Sequence, residues 1–246
     1  MTIGVQMREM VRVLRRREKE MVATLRRFVE CESPSADKAA VDRFGEMVAR
    51  EWRRRGAAVR TIRQRERGNH VRAEIAPRSG GTSRQLLILG HLDTVYPIGT
   101  LRAMPFHVSR GRAFGPGTFD MKGGLVLALF AVDAMREVGV KPAKRLVFFW
   151  DSDEEIGSGT SRKLIEAEAR RSDAVLVLEP SLGPRGDLKT QRKGVGTAEI
   201  IVRGRAAHAG IDPGAGVNAV HELALQIERL MKMNDRARGI TVQATV

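Results

Sequence analysis

The sequence predicts an α/β protein in which helices cover a central sheet on both faces. Three apolar segments have the length of strands, at residues 86–89, 146–150 and 174–178. None of them alternates apolar with polar residues, which is typical of strands buried on both sides. Helical patterns separate them, around residues 123–138 and 161–170. Strands that alternate with helices along the chain indicate an α/β sheet.

The chain before these strands predicts two helices and two short strands. Residues 5–29 place apolar side chains at helical spacing and arginines on the opposite side, so we expect one amphipathic helix that ends at residues 31–35. Residues 59–62 and 71–75 are predicted as short strands joined by a polar loop. The second helix lies between these segments, and its apolar stripe consists of Val41, Phe44, Met47, Val48 and Trp52.

The pattern changes again near the end of the sequence. Residues 197–202 are predicted as a strand, residues 217–233 as a helix and residues 240–246 as a strand. We therefore expect a domain boundary near Lys193, which divides the chain into residues 1–193 and 194–246.

The composition limits the classes of function. The 246 residues carry a formal net charge of +14, and residues 1–84 hold 21 Lys and Arg against 11 Asp and Glu. Aromatic residues make up only 4%, which supplies few platforms for base stacking. We interpret the charge as an arginine-rich solvated surface and expect no nucleic-acid partner, although nucleic-acid binding stays an alternative. The single cysteine, Cys31, excludes a disulfide within the chain and any CxxC metal site.

Membrane and secretory signals are not evident in the sequence. No apolar run approaches the length that spans a membrane, and no apolar signal-peptide segment follows the first charged residues. We therefore expect a cytoplasmic protein without a membrane partner.

Polar clusters directly follow the three apolar strands, and a glycine-rich segment before a helix adds one more acid. In open α/β sheets, ligands bind beyond the carboxyl ends of the strands, so these clusters are expected to converge. The residues concerned are His91, Asp93, Asp120, Glu154, Glu155 and Glu179.

One imidazole and several carboxylates suit zinc or similar divalent ions better than acid–base chemistry alone. A buried group of carboxylates is costly without a cation, and two divalent ions reverse that cost. In an extended strand end, Glu154 and Glu155 point to opposite sides, so one can bind metal while the other acts as general base for a bound water. Asp93 reaches the same face as His91 and is expected to accept its second N–H.

Each of these residues also has an ordinary explanation. His91 would be a strand-end histidine, Asp120 a helix cap, Glu179 a solvated loop residue, and the two adjacent glutamates a charged turn. The ordered occurrence of these residues after three strands and in the glycine-rich segment favours the metal site.

The motifs resemble one family of metallohydrolases. The set comprises Gly-His-Leu-Asp-Thr-Val-Tyr-Pro at 90–97, Gly-Pro-Gly at 115–117, Asp-Met-Lys-Gly-Gly at 120–124, Asp-Glu-Glu-Ile-Gly-Ser at 153–158 and Glu-Pro at 179–180. It resembles the family of carboxypeptidase G, aminoacylase, acetylornithine deacetylase and succinyl-diaminopimelate desuccinylase. The glutamate carboxypeptidase-like branch is most similar, through residues 93–96 and 104–106, and the resemblance covers nearly the whole chain.

The resemblance implies a mixed sheet of the di-zinc exopeptidase type over residues 1–193 and the start of an α+β lid or dimerisation domain over residues 194–246. It implies two zinc ions, with cobalt or manganese as alternatives. It also implies that the peptide bond between Asp120 and Met121 is cis. The implied roles are zinc binding by His91 and Glu179, zinc bridging by Asp120, binding of the second zinc by Glu155, general acid–base catalysis by Glu154 and orientation of His91 by Asp93.

Residues 204–210 resemble the start of the family's lid domain. The resemblance makes His208 the counterpart of a histidine that reaches the partner subunit's active site and polarises the scissile carbonyl, which implies a homodimer. The helix at 217–233 would pack at that interface or simply cover its own sheet. His70, His107 and His221 match no motif, and we interpret them as structural or surface residues.

The expected function is that of a glutamate carboxypeptidase-like metallohydrolase that cleaves an amide bond in a small peptide or N-acyl amino acid. An N-acyl-amino-acid deacylase with the same zinc core is the first alternative. A catalytically incomplete fragment is the second, because family chains are longer and supply a last histidine ligand, whereas no histidine follows His221.

Overall fold

The computed structural model describes residues 2–81 and 84–245, which fall into two units. The first unit extends to Ser181 and the second begins at Leu182. This division comes earlier in the chain than Lys193, where the sequence predicts the domain boundary. No helix among the described residues is both long and apolar enough to cross a membrane.

Three helices precede the sheet: α1 (Ile3–Arg16), α2 (Glu18–Glu30) and α3 (Lys38–Arg54). The single helix predicted over residues 5–29 is wrong, because the chain leaves helical geometry at Arg17. The Arg17 guanidinium lies 3.2 Å from the carboxylate of Asp133 and 4.8 Å from the centre of the Phe130 ring. Contacts to a later helix therefore accompany a break that no proline or glycine marks in the sequence.

Among the described residues, five strands form a mixed sheet and two more form a separate antiparallel hairpin. The strands are β1 (Ala58–Ile62), β2 (His70–Ile75), β3 (Gln85–His91), β4 (His107–Ser109), β5 (Arg112–Phe114), β6 (Arg145–Asp151) and β7 (Ser172–Val177). In the sheet the order is β1-β2-β6-β3-β7, with β3, β6 and β7 parallel and with β1 and β2 antiparallel to their neighbours. The hairpin consists of β4 and β5.

Helices cover the sheet on both faces, as the sequence predicts. α4 (Gly123–Glu137) and α3 pack on one face, and α5 (Arg162–Arg170) packs on the other. Successive residues of β6 serve the two faces in turn. Phe148 lies 4.0 Å from the Trp52 ring of α3 in the larger core, whereas Phe149 belongs to the smaller core beside α5. This double burial explains why β6 has no polar alternation. The same expectation is wrong for β7, whose residues 173–177 are exposed, because this strand lies at the edge of the described sheet.

The parallel strands end at one edge of the sheet. His91, the last residue of β3, is in register with Asp151, the last residue of β6. β7 runs parallel to β3 and ends at Val177, two residues before Glu179. The polar clusters that follow these strands therefore start from the same edge.

The described part of the second unit contains one long helix, α6 (Ala219–Met231), which begins after Asn218. The Asn218 side chain accepts the backbone N–H of His221 at 3.0 Å and caps the helix. The strands predicted at 197–202 and 240–246 are wrong for the described residues, and Val246 lies outside them. A strand depends on a hydrogen-bonded neighbour, and among the described residues of this unit pairing is limited to isolated bridges.

Candidate metal centre

Three of the expected ligands converge at the carboxyl edge of the sheet. His91 Nε2 lies 3.1 Å from Asp120 Oδ1 and 3.5 Å from Glu179 Oε1. All three ligand atoms lie within 4.8 Å of one another. Within the described ranges, this is the one group of three or more His, Cys, Asp or Glu side chains with such spacing.

His91 is buried at the end of β3, and two backbone features fix its orientation. Its Nδ1 atom lies 2.9 Å from the carbonyl oxygen of Asp93, which leaves Nε2 to face the carboxylates. Its backbone N–H contacts Met121 Sδ at 3.1 Å. Met121 comes this close because Gly90 has no side chain: a Cβ there would lie 2.4 Å from the Met121 methyl carbon.

Asp120 lies in the irregular turn Thr118–Lys122 that leads into α4. The Asp120–Met121 peptide bond is cis, as the resemblance implies. Lys122 is buried next to it and donates to the carbonyl oxygens of Phe28 at 3.0 Å and Cys31 at 2.8 Å. The turn is thus tied to the end of α2, while the Asp120 side chain stays 55% exposed.

Asp93 is buried beneath the group, and its two carboxylate oxygens differ. Oδ2 accepts the Ser35 hydroxyl at 2.7 Å and the backbone N–H of Glu155 at 3.3 Å. Oδ1 lies 3.4 Å from His91 Nδ1 and has no hydrogen bond to the described part of the chain. The nearer acceptor for His91 Nδ1 is therefore the Asp93 carbonyl, and the orienting role of the carboxylate stays a prediction.

Glu154 and Glu155 lie in one turn of 3₁₀ helix, Glu154–Ile156, not in the extended strand end that their predicted division of roles assumed. Gly157, at φ +95°, closes the turn by donating its N–H to the Glu154 carbonyl at 2.9 Å. Successive side chains of a 3₁₀ helix are about 120° apart, not on opposite sides. The Glu155 backbone contacts Asp93, but its carboxylate is outside the group of three.

His208 belongs to the second unit and is exposed. Its Nδ1 atom accepts the backbone N–H groups of Gly210 and Ile211, both at 3.1 Å. The expected role of His208 in a partner subunit's site stays a prediction.

Burial raises the pKa of two carboxyl groups at this edge. Burial, followed by the charge of Asp93, raises the pKa of Asp151 to about 8. Burial also raises the pKa of Glu179 to about 7, a rise that the charge of His91 opposes and the charge of Asp120 increases. Both groups therefore hold a proton at a higher pH than an ordinary carboxyl group does.

The imidazole shows the same excess of negative charge. Burial by itself lowers the pKa of His91, but the neighbouring acids Asp93, Glu179 and Asp151 outweigh burial and raise that pKa to about 10. One imidazole nitrogen together with several carboxylate oxygens is a suitable donor set for a divalent cation. The unsatisfied Asp93 Oδ1 and the raised carboxyl pKa values fit such an ion, because its charge would compensate the acids.

Several residues around the centre are missed by sequence reasoning. Ser35, Lys122 and His70 act through contacts with segments far away in the chain, so even the motif at 120–124, which includes Lys122, does not predict its contacts. Asp151 directly follows an apolar strand, and this position is a signal that could have identified it.

Comparison with known proteins places the chain in a family. Residues 87–242 match the family described as Peptidase family M20/M25/M40. The chain belongs to this family. Carboxypeptidase G2 from Pseudomonas sp. (strain RS-16) is a relative, 31% identical over 228 residues that make up 92% of this chain and 54% of the relative. The chain thus spans about half the length of this curated relative.

Solved structures with similar folds include other peptidases. A tripeptidase from Staphylococcus aureus gives a TM-score of 0.65 at 18% identity, covering 87% of this chain and 56% of that chain. Human carnosine dipeptidase 1 gives a TM-score of 0.60 at 21% identity, covering 69% of this chain and 40% of that chain. At these identities the likeness shows the M20 fold. M20 metallopeptidases are hydrolases that use divalent metal ions, usually zinc.

Proposed function

We propose that the chain carries the metal site of a di-zinc hydrolase that cleaves an amide bond and releases a C-terminal amino acid such as glutamate from a peptide or N-acyl conjugate. The observation that carries the proposal is the group of His91, Asp120 and Glu179, whose ligand atoms lie within 4.8 Å at the carboxyl edge of the sheet. Family membership and the 31% identity to Carboxypeptidase G2 support it.

The proposed ligands divide between two ions, zinc or alternatively cobalt or manganese. His91 and Glu179 would hold one ion, Glu155 the other, and Asp120 both, since its exposed carboxylate has two oxygens. Glu155 is joined to the group through its N–H bond to Asp93. Divalent ions bound there would polarise the amide carbonyl and lower the pKa of the attacking water.

Glu154 is the proposed general acid–base residue. Its side chain is exposed on the turn, and its negative charge contributes to the raised pKa values of Glu155 and Glu179. It would take a proton from the attacking water and pass that proton to the leaving amine. The turn therefore would bring a proton carrier and a metal ligand to the site together.

His208 is the proposed donor to the carbonyl oxygen in a partner subunit of a homodimer. Because Nδ1 accepts two backbone N–H groups, the neutral ring carries its proton on Nε2. The exposed Nε2–H is then free to stabilise an oxyanion.

The substitution Glu154→Gln tests the acid–base role. We expect turnover to fall by about 10²- to 10⁴-fold, the usual contribution of general acid–base catalysis, while the metal content stays unchanged. Activity on N-acylglutamates and metal content by mass spectrometry are the measurements. Glu166→Gln, a change of a half-exposed side chain on α5, is the matched control. Undiminished activity of Glu154→Gln would contradict the role.

An N-acyl-amino-acid deacylase is the second candidate, because the same group of ligands supports either reaction. A panel of N-acylglutamates, folyl-like conjugates and acetylated amino acids separates the two. The metal content separates both enzymes from a catalytically incomplete fragment. Two ions per chain support the proposal, and one or none supports the fragment.

A further inference from the structure

The imidazole of His70 is fully buried at the start of β2, and the proposed reaction does not use it. Its Nδ1 atom lies 3.0 Å from the Ser152 hydroxyl, just after β6. Its Nε2 atom lies 3.2 Å from the Thr160 hydroxyl, just before α5. One ring therefore joins the two ends of residues 152–160, the segment that we name the acidic turn because it contains Glu154 and Glu155.

The acidic turn is also closed from within. Asp153 Oδ2 accepts the backbone N–H of Thr160 at 2.6 Å and its hydroxyl at 2.8 Å. The Ser158 N–H donates to the Asp153 carbonyl at 2.7 Å. These bonds fix the shape of the turn. Its contacts toward the sheet are the bond from the Glu155 N–H to Asp93, which follows β3, and the contacts of His70, which is itself a residue of β2.

The hydrogen-bonding protons show what the ring must supply. The Ser152 hydroxyl also lies 2.5 Å from the Gly68 carbonyl oxygen, and the Thr160 hydroxyl lies 2.8 Å from Asp153 Oδ2. Each hydroxyl has a single proton, which it donates either to that acceptor or to the ring. A neutral ring has one N–H and one nitrogen lone pair, so it donates to one hydroxyl while the other hydroxyl donates to the ring. The site therefore needs a side chain that both donates and accepts.

An apolar side chain would fill the same space without these bonds. Burial lowers the pKa of His70, and the charge of Asp153 and a bond with Thr160 oppose that decrease. Burying a polar ring is costly unless it is hydrogen bonded, and here both nitrogens have a partner. The contacts, not the volume, distinguish histidine at this position.

We propose that His70 is a positioning residue that ties the acidic turn to the sheet and so fixes where Glu154 and Glu155 stand. The inference rests on the proposed function only for the roles of the two glutamates. The attachment itself follows from the contacts of His70 and is tested without activity.

Hydrogen exchange of the metal-free protein is the test, with three variants. His70→Leu removes both bonds, His70→Gln keeps a donor and an acceptor, and Val48→Ala disturbs the larger core away from the turn. The reporting amides are those hydrogen bonded in the turn, namely Glu155, Gly157, Ser158 and Thr160.

We expect these amides to exchange at least about tenfold faster in His70→Leu, because the loss of even one buried hydrogen bond has an effect of about this size. They should return toward the wild-type rate in His70→Gln and stay at that rate in Val48→Ala. Unchanged exchange in His70→Leu overturns the proposal. Equal acceleration in Val48→Ala also overturns it, because general destabilisation would then account for the result. Should His70→Leu not fold, His70→Asn keeps a polar group but is too short to contact both Ser152 and Thr160, and the same two outcomes apply.

Zinc binding distinguishes failure of this inference from failure of the proposed function. If the wild type binds two ions, His70→Leu should lower the affinity for the ion held by Glu155 roughly tenfold, which is the usual effect of losing a residue that orients a metal ligand. The affinity for the other ion should stay unchanged. An equal loss of affinity for both ions contradicts a local role of His70. A wild type that binds no zinc but shows the exchange pattern overturns the proposed function and leaves the attachment supported.

Discussion

The Glu179 carboxyl group carries a cost when no cation is bound. Its pKa of about 7 exceeds the value of about 4.3 for an unfolded glutamate. Between these values the folded state binds more protons than the unfolded state, so the stability of the metal-free protein falls as pH rises through this range. The group that suits a metal ion therefore weakens the fold in the ion's absence.

Glu179→Gln should remove this cost. With a chelator present, we expect the variant to be more stable than the wild type at pH 8 by about 1–3 kcal/mol. This value is below the full energy of the pKa shift, because solvent screens a partly exposed group. The difference should disappear below pH 4, where both side chains are neutral. Urea unfolding at the two pH values is the measurement, with Glu166→Gln as control. A metal-free wild type that is more stable than Glu179→Gln at pH 8 would contradict the prediction.

The residues of the centre differ in how far the sequence predicts them. His91 and Glu179 follow apolar strands, so the general rule about strand ends identifies them. The nearer partner of His91 is a backbone carbonyl, and a rule about side chains cannot identify that contact. The partners of His70 come from both ends of a separate segment, and only the folded chain brings them together.

At the scale of elements, one buried carboxylate joins α5 to the sheet. Glu168 accepts Arg72 Nε of β2 at 2.8 Å and Gln85 Nε2 of β3 at 2.9 Å. Burial raises its pKa, but these bonds and the charge of Arg72 outweigh burial and hold the pKa below its ordinary value. Stability from this group is therefore present above the unfolded pKa and lost as pH falls through the lower folded pKa.

Glu168→Gln should cost about 1–3 kcal/mol at pH 7, because it weakens a buried charged contact. The difference from the wild type should shrink as pH falls toward 3. Urea unfolding measures both effects. Glu166→Gln lies on the same helix but pairs only with exposed arginines, so its effect should stay within about 0.5 kcal/mol. Equal stability of Glu168→Gln and wild type at pH 7 would rule the contact out as a stabilising one.

β3 and β6 follow from the sequence because burial on both faces leaves continuous apolar runs. The break between α1 and α2 does not, since Arg17 is compatible with a helix and its partners lie on α4. The predictions of strands at 197–202 and 240–246 are wrong for the opposite reason. Their residue types suit strands, but a strand also needs a paired neighbour.

At the scale of the whole molecule, the second unit begins with a basic exposed segment, directly after the division at Ser181. Residues 182–193, all of them described, contain no helix or extended strand. Four residues in this segment are targets of trypsin, namely Arg185, Lys189, Arg192 and Lys193.

Brief digestion with trypsin should cut first within residues 182–193, because exposed backbone outside regular structure is the preferred site of proteolysis. Mass spectrometry of the first products locates the cut. The arginines of α3 are an internal control, since they are exposed but lie in a packed helix. First cuts elsewhere in the described residues would contradict this prediction.

The parallel pairing of β3 with β6 and β7 has a consequence for the order of folding. Parallel strands need long crossover connections, and such non-local pairings form slowly. His91, Asp120 and Glu179 lie far apart in the chain, so the unfolded polypeptide has no local pair of them with which to capture an ion. Capture must wait until β3 and β7 are paired. These residues would thus bind an ion late in folding, and the bound ion would indicate that β3 and β7 have paired.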